Sequence, residues 1–303
     1  MHLSRFLALP VAVFMAVSAR AEPASYATPQ SALEAMVEAL RDSDMRAILG
    51  VFGEDAEDYL SSGDPVEDDQ NRLTLLALYQ EGYRFEPQED GAVMIAFGKE
   101  GWLFPVPIAK VGDGFWAFDS AAGREEVLMR EIGTNELEII ELLEAYVAIQ
   151  TAYRQTDMDG DGVMEFAQQI ISSSAEVRDG LFWPGEDQLL GELFARASAN
   201  GYNDGTADQP PEPFMGYYFR ILTEQSDAAP SGAMSYIVNG NMVGGHALLA
   251  VPAIYGETGV HSFMVSENGV VLEAVLGEET LDLAAEISAY DPDENWAPVA
   301  PEG

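Results

Sequence analysis

The 303-residue chain has no cysteine and only two lysines, Lys99 and Lys110. Without cysteine there is no disulfide, no thiolate nucleophile, no cysteine-ligated zinc and no lipidated thiol anchor. Basic residues are scarce altogether: 14 Lys+Arg stand against 52 Asp+Glu, a formal net charge of −38. Such a surface repels phosphate backbones, which excludes nucleic-acid binding through a basic patch. Anionic lipid headgroups repel it as well. No stretch reaches about 18 consecutive apolar residues, so no membrane span is expected. The catalytic signatures G-x-S-x-G, H-E-x-x-H and the P-loop are missing. What is present, 48% hydrophobic and 10% aromatic residues, marks a globular chain rather than an acidic disordered tail.

The N-terminus reads as an address. Arg5 supplies a positive n-region, Phe6 to Val17 an apolar h-region broken by Pro10, and Ala19-Arg20-Ala21 a small-x-small cleavage signal. Residues 1–21 are therefore expected to be a signal peptide, with Glu22 as the mature N-terminus and a periplasmic or secreted location. Cleavage removes Arg5 and Arg20 and no acid, which takes −38 two units further, to −40. The remaining length is enough for a self-sufficient core.

Hydrophobic periodicity organises the rest into an α+β protein of two domains. Leu33, Met36, Val37 and Leu40 mark an amphipathic helix after a short polar linker at 22–30. Further helices are expected at Met45–Phe52 and Asp69–Glu81. Tyr83–Phe85, Val93–Phe97, an edge strand at Trp102–Val111 carrying Pro105 and Pro107, and Phe115–Phe118 after the Gly112-Asp113-Gly114 turn form an antiparallel meander. These make a first domain, 28–122. The second, 124–290, opens with a long helix over Asn135–Arg154. Helices at Met164–Ser172 and Leu189–Ala199 and a polar surface loop at Asn203–Pro213 follow. Five strand candidates lie between Gly216 and Leu276, with hairpin signals at Asn239-Gly240 and Asn268-Gly269. A short helix at Leu281–Tyr290 precedes a loose tail, 291–303.

Several of these segments together resemble a family of exported bacterial proteins known as domain of unknown function 2950. They are Ser61-Ser62-Gly63-Asp64-Pro65, Trp102 to Pro107, Phe118 to Glu126, Asp159-Gly160-Asp161-Gly162, Asp179 to Pro184, and Gly216-Tyr217-Tyr218-Phe219-Arg220. The resemblance covers nearly the whole chain after residue 21 and implies no activity. Residues 28–122, ending in Trp116-Ala117-Phe118-Asp119, are similar to nuclear-transport-factor-2-like domains. Residues 124–290 are similar to type IV pilin and pseudopilin heads, through Asn135-Glu136 opening the long helix, Tyr255-Gly256, Thr258-Gly259, Ser262-Phe263 and Gly269-Val270-Val271. A folded domain stands where pilins carry their polymerisation helix, which argues against fibre assembly.

The sharpest chemical signal is Asp157-Met158-Asp159-Gly160-Asp161-Gly162-Val163-Met164-Glu165. Aspartates at loop positions 1, 3 and 5 can face one centre, and Gly162 at position 6 allows the sharp turn. Val163 offers its carbonyl at 7, and Glu165 at 9 binds directly or through water. Hard oxygen donors of this kind suit Ca²⁺, in a helix–loop–helix resembling an EF-hand. Position 12 holds Gln168 instead of a bidentate Glu, which implies weak affinity, roughly 10⁻⁴–10⁻³ M. The competing reading is an Asx-turn-rich linker in which Asp161 caps the next helix.

Other candidates are less specific. His246 and His261, both near predicted strands, could share a metal only if the strands pair them. The clusters Glu54-Asp55, Glu57-Asp58 and Glu67-Asp68-Asp69 could supply the two carboxylates of a glycosidase, although in so acidic a chain they read as solvated faces. Trp183 in Leu181-Phe182-Trp183-Pro184 could stack on a sugar, but more often pins its loop to the core. The functional expectation is an exported, non-catalytic binding or assembly module of the bacterial envelope carrying a structural Ca²⁺. Its partner is an unidentified envelope protein or polymer. The alternative is a carboxylate-dependent hydrolase of envelope polymers.

Overall fold

A computed structural model describes residues 21–174, 176–183, 189–198, 202–203, 208–209 and 211–300. The expected signal segment lies, except for Ala21, outside the described residues, as does much of the 203–213 loop. The chain is mixed α+β and divides into two compact units, up to Val127 and from Leu128 onward.

The first unit opens with helices α1 (Pro29–Asp42), α2 (Met45–Phe52), α3 (Glu57–Leu60) and α4 (Pro65–Glu81). Each long helix starts on a side-chain cap. Thr28 Oγ1 accepts from Ser31 N, Asp44 from Arg46 N and Asp64 from Val66 N, which satisfies donors that the first helical turn leaves orphaned. Asp64 with Pro65 at the first helical position starts α4 four residues before the sequence periodicity does. Strands β1 (Tyr83–Pro87), β2 (Val93–Phe97), β3 (Trp102–Leu103), β4 (Ile108–Val111) and β5 (Phe115–Phe118) form an antiparallel sheet, order β1-β2-β4-β5, with β3 also on β2. The expected edge strand 102–111 is thus two pieces, and β4 is interior. Pro105 and Pro107 fall in the break, so neither has to donate to a ladder. The supposed linker is also structured: Tyr26 and Trp116 exchange backbone hydrogen bonds of 2.7 and 2.8 Å. Leu33, Met36, Phe52, Ile95, Phe97 and Phe118 form the core of this unit.

Helix α5 runs Ser120–Tyr153, 15 residues earlier than the periodicity signals. Asp119 caps it, accepting from Ala122 N, and the helix continues through Gly123 and Gly133. Beyond it come β6 (Gln169–Ile171), β7 (Gly180–Phe182), α6 (Glu192–Arg196), β8 (Tyr202–Asn203), β9 (Asp208–Gln209), β10 (Tyr217–Leu222), β11 (Glu224–Gln225), β12 (Met234–Ser235), β13 (Ile237–Val238), β14 (Asn241–Met242), β15 (Ala247–Pro252), β16 (Ser262–Ser266), β17 (Val271–Ala274), α7 (Thr280–Glu286) and β18 (Ala297–Pro298).

The main sheet of this unit has the order β10-β15-β16-β17-β18, antiparallel throughout. Every residue of β15 and β16 is buried. That is why Ala247–Val251 of β15 and the Phe263–Val265 centre of β16 are apolar without the alternation of a half-exposed strand. Ile139, Leu143 and Tyr146 of α5 join Phe219, Phe263 and Leu248 in one core. The tail is not loose: β18 pairs with β17 and Val299 N donates to Val271 O at 3.0 Å.

The helix expected at Met164–Ser172 does not form. Phe166 N is bonded to Met242 O, and the backbone N–H and C=O of Ala167 are both held by the Gln150 amide at 2.9 and 3.0 Å. Groups committed to these partners are unavailable for i→i−4 bonds, and the segment goes on into β6, paired parallel to β7.

Two glycines of α5 give a paired test. A Cβ on Gly123 would sit 2.7 and 2.9 Å from the two methyls of buried Val106, whereas one on Gly133 meets nothing within 4 Å. Gly123→Ala should therefore destabilise by about 1–3 kcal/mol. Gly133→Ala should stabilise by about 0.5–1 kcal/mol through helix propensity. Urea denaturation followed by circular dichroism decides both; equal effects would mean the packing at Val106 is misplaced.

Candidate metal centre

The end of α5 delivers the acidic loop. Asp157, Asp159 and Asp161 each place one carboxylate oxygen within 4.8 Å of the others. The loop reaches this shape through its own backbone. Asp157 accepts from Gly160 N at 2.8 Å and Gly162 N at 2.9 Å, Asp159 from Asp161 N at 3.3 Å, and Asp161 from Val163 N at 2.7 Å. Gly160 and Gly162 have φ of 79° and 94°, a region L side chains seldom enter. Three like charges this close repel, and a cation is the natural counter-charge. Oxygen-only donors match Ca²⁺ chemistry.

The rest of the expected ligand set is placed differently. Val163 is exposed and touches the triad through its N–H. Glu165 is 7% exposed, and its Oε2 accepts from Met242 N at 2.6 Å and Gln168 Nε2 at 3.1 Å. Burial raises its carboxyl above the ordinary glutamate range; the bonds from Met242 and Gln168 oppose this, and the charges of Asp159 and Asp161 add to it. Gln168, read as a weak ligand, is a strut: its Nε2 also donates to Gly240 O at 2.6 Å. Asn241 Nδ2 donates to Asp161 Oδ2 at 2.5 Å. The acidic loop is thereby tied to the β13–β14 hairpin. Its Asn239-Gly240 turn has both φ values positive, 55° and 98°, as a two-residue type I′ turn requires.

The loop is flanked by α5 on one side and by extended chain on the other, so it is not the helix–loop–helix of an EF-hand. Gln150 and Asn241 were not flagged in the sequence. Their roles depend on contacts 17 and 80 residues away.

The two histidines are not brought together. Ala247 pairs with Ser266, which puts His246 at the Glu267 end of β16, and Glu267 N donates to His246 O at 3.1 Å. The six strand positions from there to His261 span roughly 20 Å. His261 Nδ1 lies 3.0 Å from Glu136 Oε2, while Glu136 Oε1 accepts from the backbone N–H of Val260 and His261 at 2.8 and 2.9 Å. His246 is fully buried, its ring edge-on to Tyr146 and Phe166, and neither ring nitrogen has a hydrogen-bond partner among the described residues. Trp183 is 1% exposed, with the Arg178 guanidinium carbon 4.9 Å from its ring centre, so it anchors its loop. The acids Glu54, Asp55, Glu57 and Asp58 are exposed.

A family model described as protein of unknown function (DUF2950) matches residues 23–299. The chain belongs to the DUF2950 family. No curated protein and no solved structure matches it. The family match spans both units and the acidic loop, and its description assigns no chemistry.

His246 generates a pH test. Desolvation, and then the charge of Arg154, push its pKa down to about 4 from an unfolded value near 6.5. Between those values the unfolded chain binds the proton and the folded chain does not, so stability is lost as pH falls from about 6.5 to about 4. The loss attributable to His246 is about 3 kcal/mol. In chelator, His246→Leu should flatten that part of the stability–pH curve from urea melts. An unchanged slope would show that His246 is not buried neutral.

Proposed function

We propose that the chain is an exported, non-catalytic binding or assembly module of the bacterial envelope, periplasmic or secreted after cleavage behind Ala21. In this reading one structural Ca²⁺ sits in the loop Asp157–Glu165, with Asp157, Asp159 and Asp161 as carboxylate ligands. Val163 contributes its carbonyl, and Glu165 acts through water or directly. The single observation that carries the reading is the convergence of three carboxylates in a loop whose donors are already spent on shaping it. An Asx-turn linker needs one such aspartate, not three aimed at one point. The ion would supply positive charge where the sequence concentrates negative charge. It would thereby do for this cysteine-free chain part of what disulfides do for others.

Within this reading the first unit, helices and then a meander, is taken as nuclear-transport-factor-2-like. The second, a long helix with an antiparallel sheet, is taken as pilin-head-like. Both are likenesses of architecture. The hydrolase alternative needs a carboxylic acid kept protonated beside a second carboxylate. Asp68, which lines a cavity together with Phe104 and Trp102, is instead held below its ordinary range by hydrogen bonds from Ser62 and Ser61, the wrong direction for a general acid.

With an affinity of about 10⁻⁴–10⁻³ M, 10 mM Ca²⁺ should stabilise by about 1.4–2.7 kcal/mol, a melting shift of about 3–10 °C over chelator. Asp159→Ala should abolish the shift while leaving the melt in chelator equal or higher. Identical melts, with no heat of binding on calcium titration, would remove the site. Pull-down from a bacterial envelope fraction should retain a protein or polymer intact; its turnover would contradict the non-catalytic reading.

A further inference from the structure

Helix α4 is unusual among the long helices of the first unit, since none of its 17 residues is buried. Leu75 and Leu78, partly buried against the core of this unit, also line a cavity of about 790 Å³. Leu40 of α1, Ile48 of α2, and Phe104 form the other walls, and Trp102, 44% exposed, stands among the residues that border it. All these residues belong to the first unit. The cavity opens to solvent past the exposed Trp102 and Met45. A predominantly apolar space of this volume falls in the range of small-molecule sites, about 300–1,000 Å³.

Beside the neutral Ser43, Ser61, Asn71 and Thr74, the cavity carries three charged side chains, Asp68, Asp69 and Arg72. Asp68 is fixed as a carboxylate: Oδ1 accepts from Ser62 N at 2.7 Å and Ser62 Oγ at 2.9 Å, and Oδ2 from Ser61 Oγ at 2.7 Å. Arg72 is already neutralised, its Nη2 and Nε donating to Asp69 Oδ1 at 2.7 and 3.0 Å and its Nη1 to Leu40 O at 2.9 Å. One negative charge is left over at a mostly apolar site, in a protein of net charge −38.

We propose that this cavity binds a small amphiphile, its apolar body between α4 and the α1–α2 pair and an uncharged or cationic polar end beside Asp68. An anionic end such as a fatty-acid carboxylate is disfavoured because the only arginine present is spent on Asp69. The proposal names a ligand class for the binding-module reading and rests on that reading, but not on the calcium loop.

The test uses the purified protein and the neutral dye N-phenyl-1-naphthylamine. Dye fluorescence should saturate at one site per chain, with a concurrent change in tryptophan emission that Trp102→Phe reduces. Dodecyltrimethylammonium, below its micelle concentration, should displace the dye at a concentration at least tenfold lower than dodecanoate does. Leu75→Trp, which fills the space, should weaken dye binding at least tenfold without lowering the melting temperature. If that variant does not fold, Thr74→Phe at the exposed edge of the same wall replaces it. No saturable binding, or binding unaffected by the filling variant, overturns the cavity. Equal or better displacement by dodecanoate overturns the head-group assignment. Recovery of an ester amphiphile in cleaved form would leave the cavity standing and overturn the non-catalytic reading instead.

Discussion

Glu165 carries a carboxylate into the protein interior beside three others, and the second unit is arranged around making that tolerable. Met242 N and Gln168 Nε2 bind its buried oxygen. Gln168 also holds Gly240, and Asn241 reaches back to Asp161. Gln150, in the last turns of α5, secures Ala167 by both backbone groups. A buried charge left without such partners costs several kcal/mol, so the hairpin, the helix end and the loop form one dependent structure. The loop aspartates are exposed enough to be hydrated, yet their mutual repulsion works against the same contacts. A cation held by the triad would turn that opposition into cohesion.

What could be read from the sequence was what is local. The triad's spacing, the I′ turn at Asn239-Gly240 and the apolar runs of β15 and β16 each depend on residues near in the chain, and each was legible. The helix expected at 164–172 failed because its backbone groups are claimed by Met242 and Gln150, partners that no short window contains. The proline-bearing stretch 102–111 was misjudged as one edge strand because proline position constrains a ladder only once the break between β3 and β4 is known. The start of α5 is hidden by Gly123, which reads as the opening of a second unit but is carried within a helix capped by Asp119. Whether His246 and His261 meet depended on sheet register alone, and the register separates them.

The cavity under α4 could not be read from composition or periodicity. Leu73, Leu76 and Ala77 suggest a helix with an ordinary core face, yet in the structure Leu73 is 52% exposed and no α4 residue is buried. A sequence pattern records which side chains are apolar, not whether anything fills the space they face. The two units thus differ in character. The first keeps unfilled apolar volume beside a fixed carboxylate. The second commits its polar groups to holding an acidic loop in one shape.

Hydrogen exchange of backbone amides in the full chain, with and without Ca²⁺, addresses the central claim most directly. If the ion completes a structure shared by the loop and the hairpin, peptides covering 157–168 and 237–242 will slow together when Ca²⁺ is added. Exchange that Ca²⁺ leaves unchanged in both segments, or slows in the loop alone, would contradict the account.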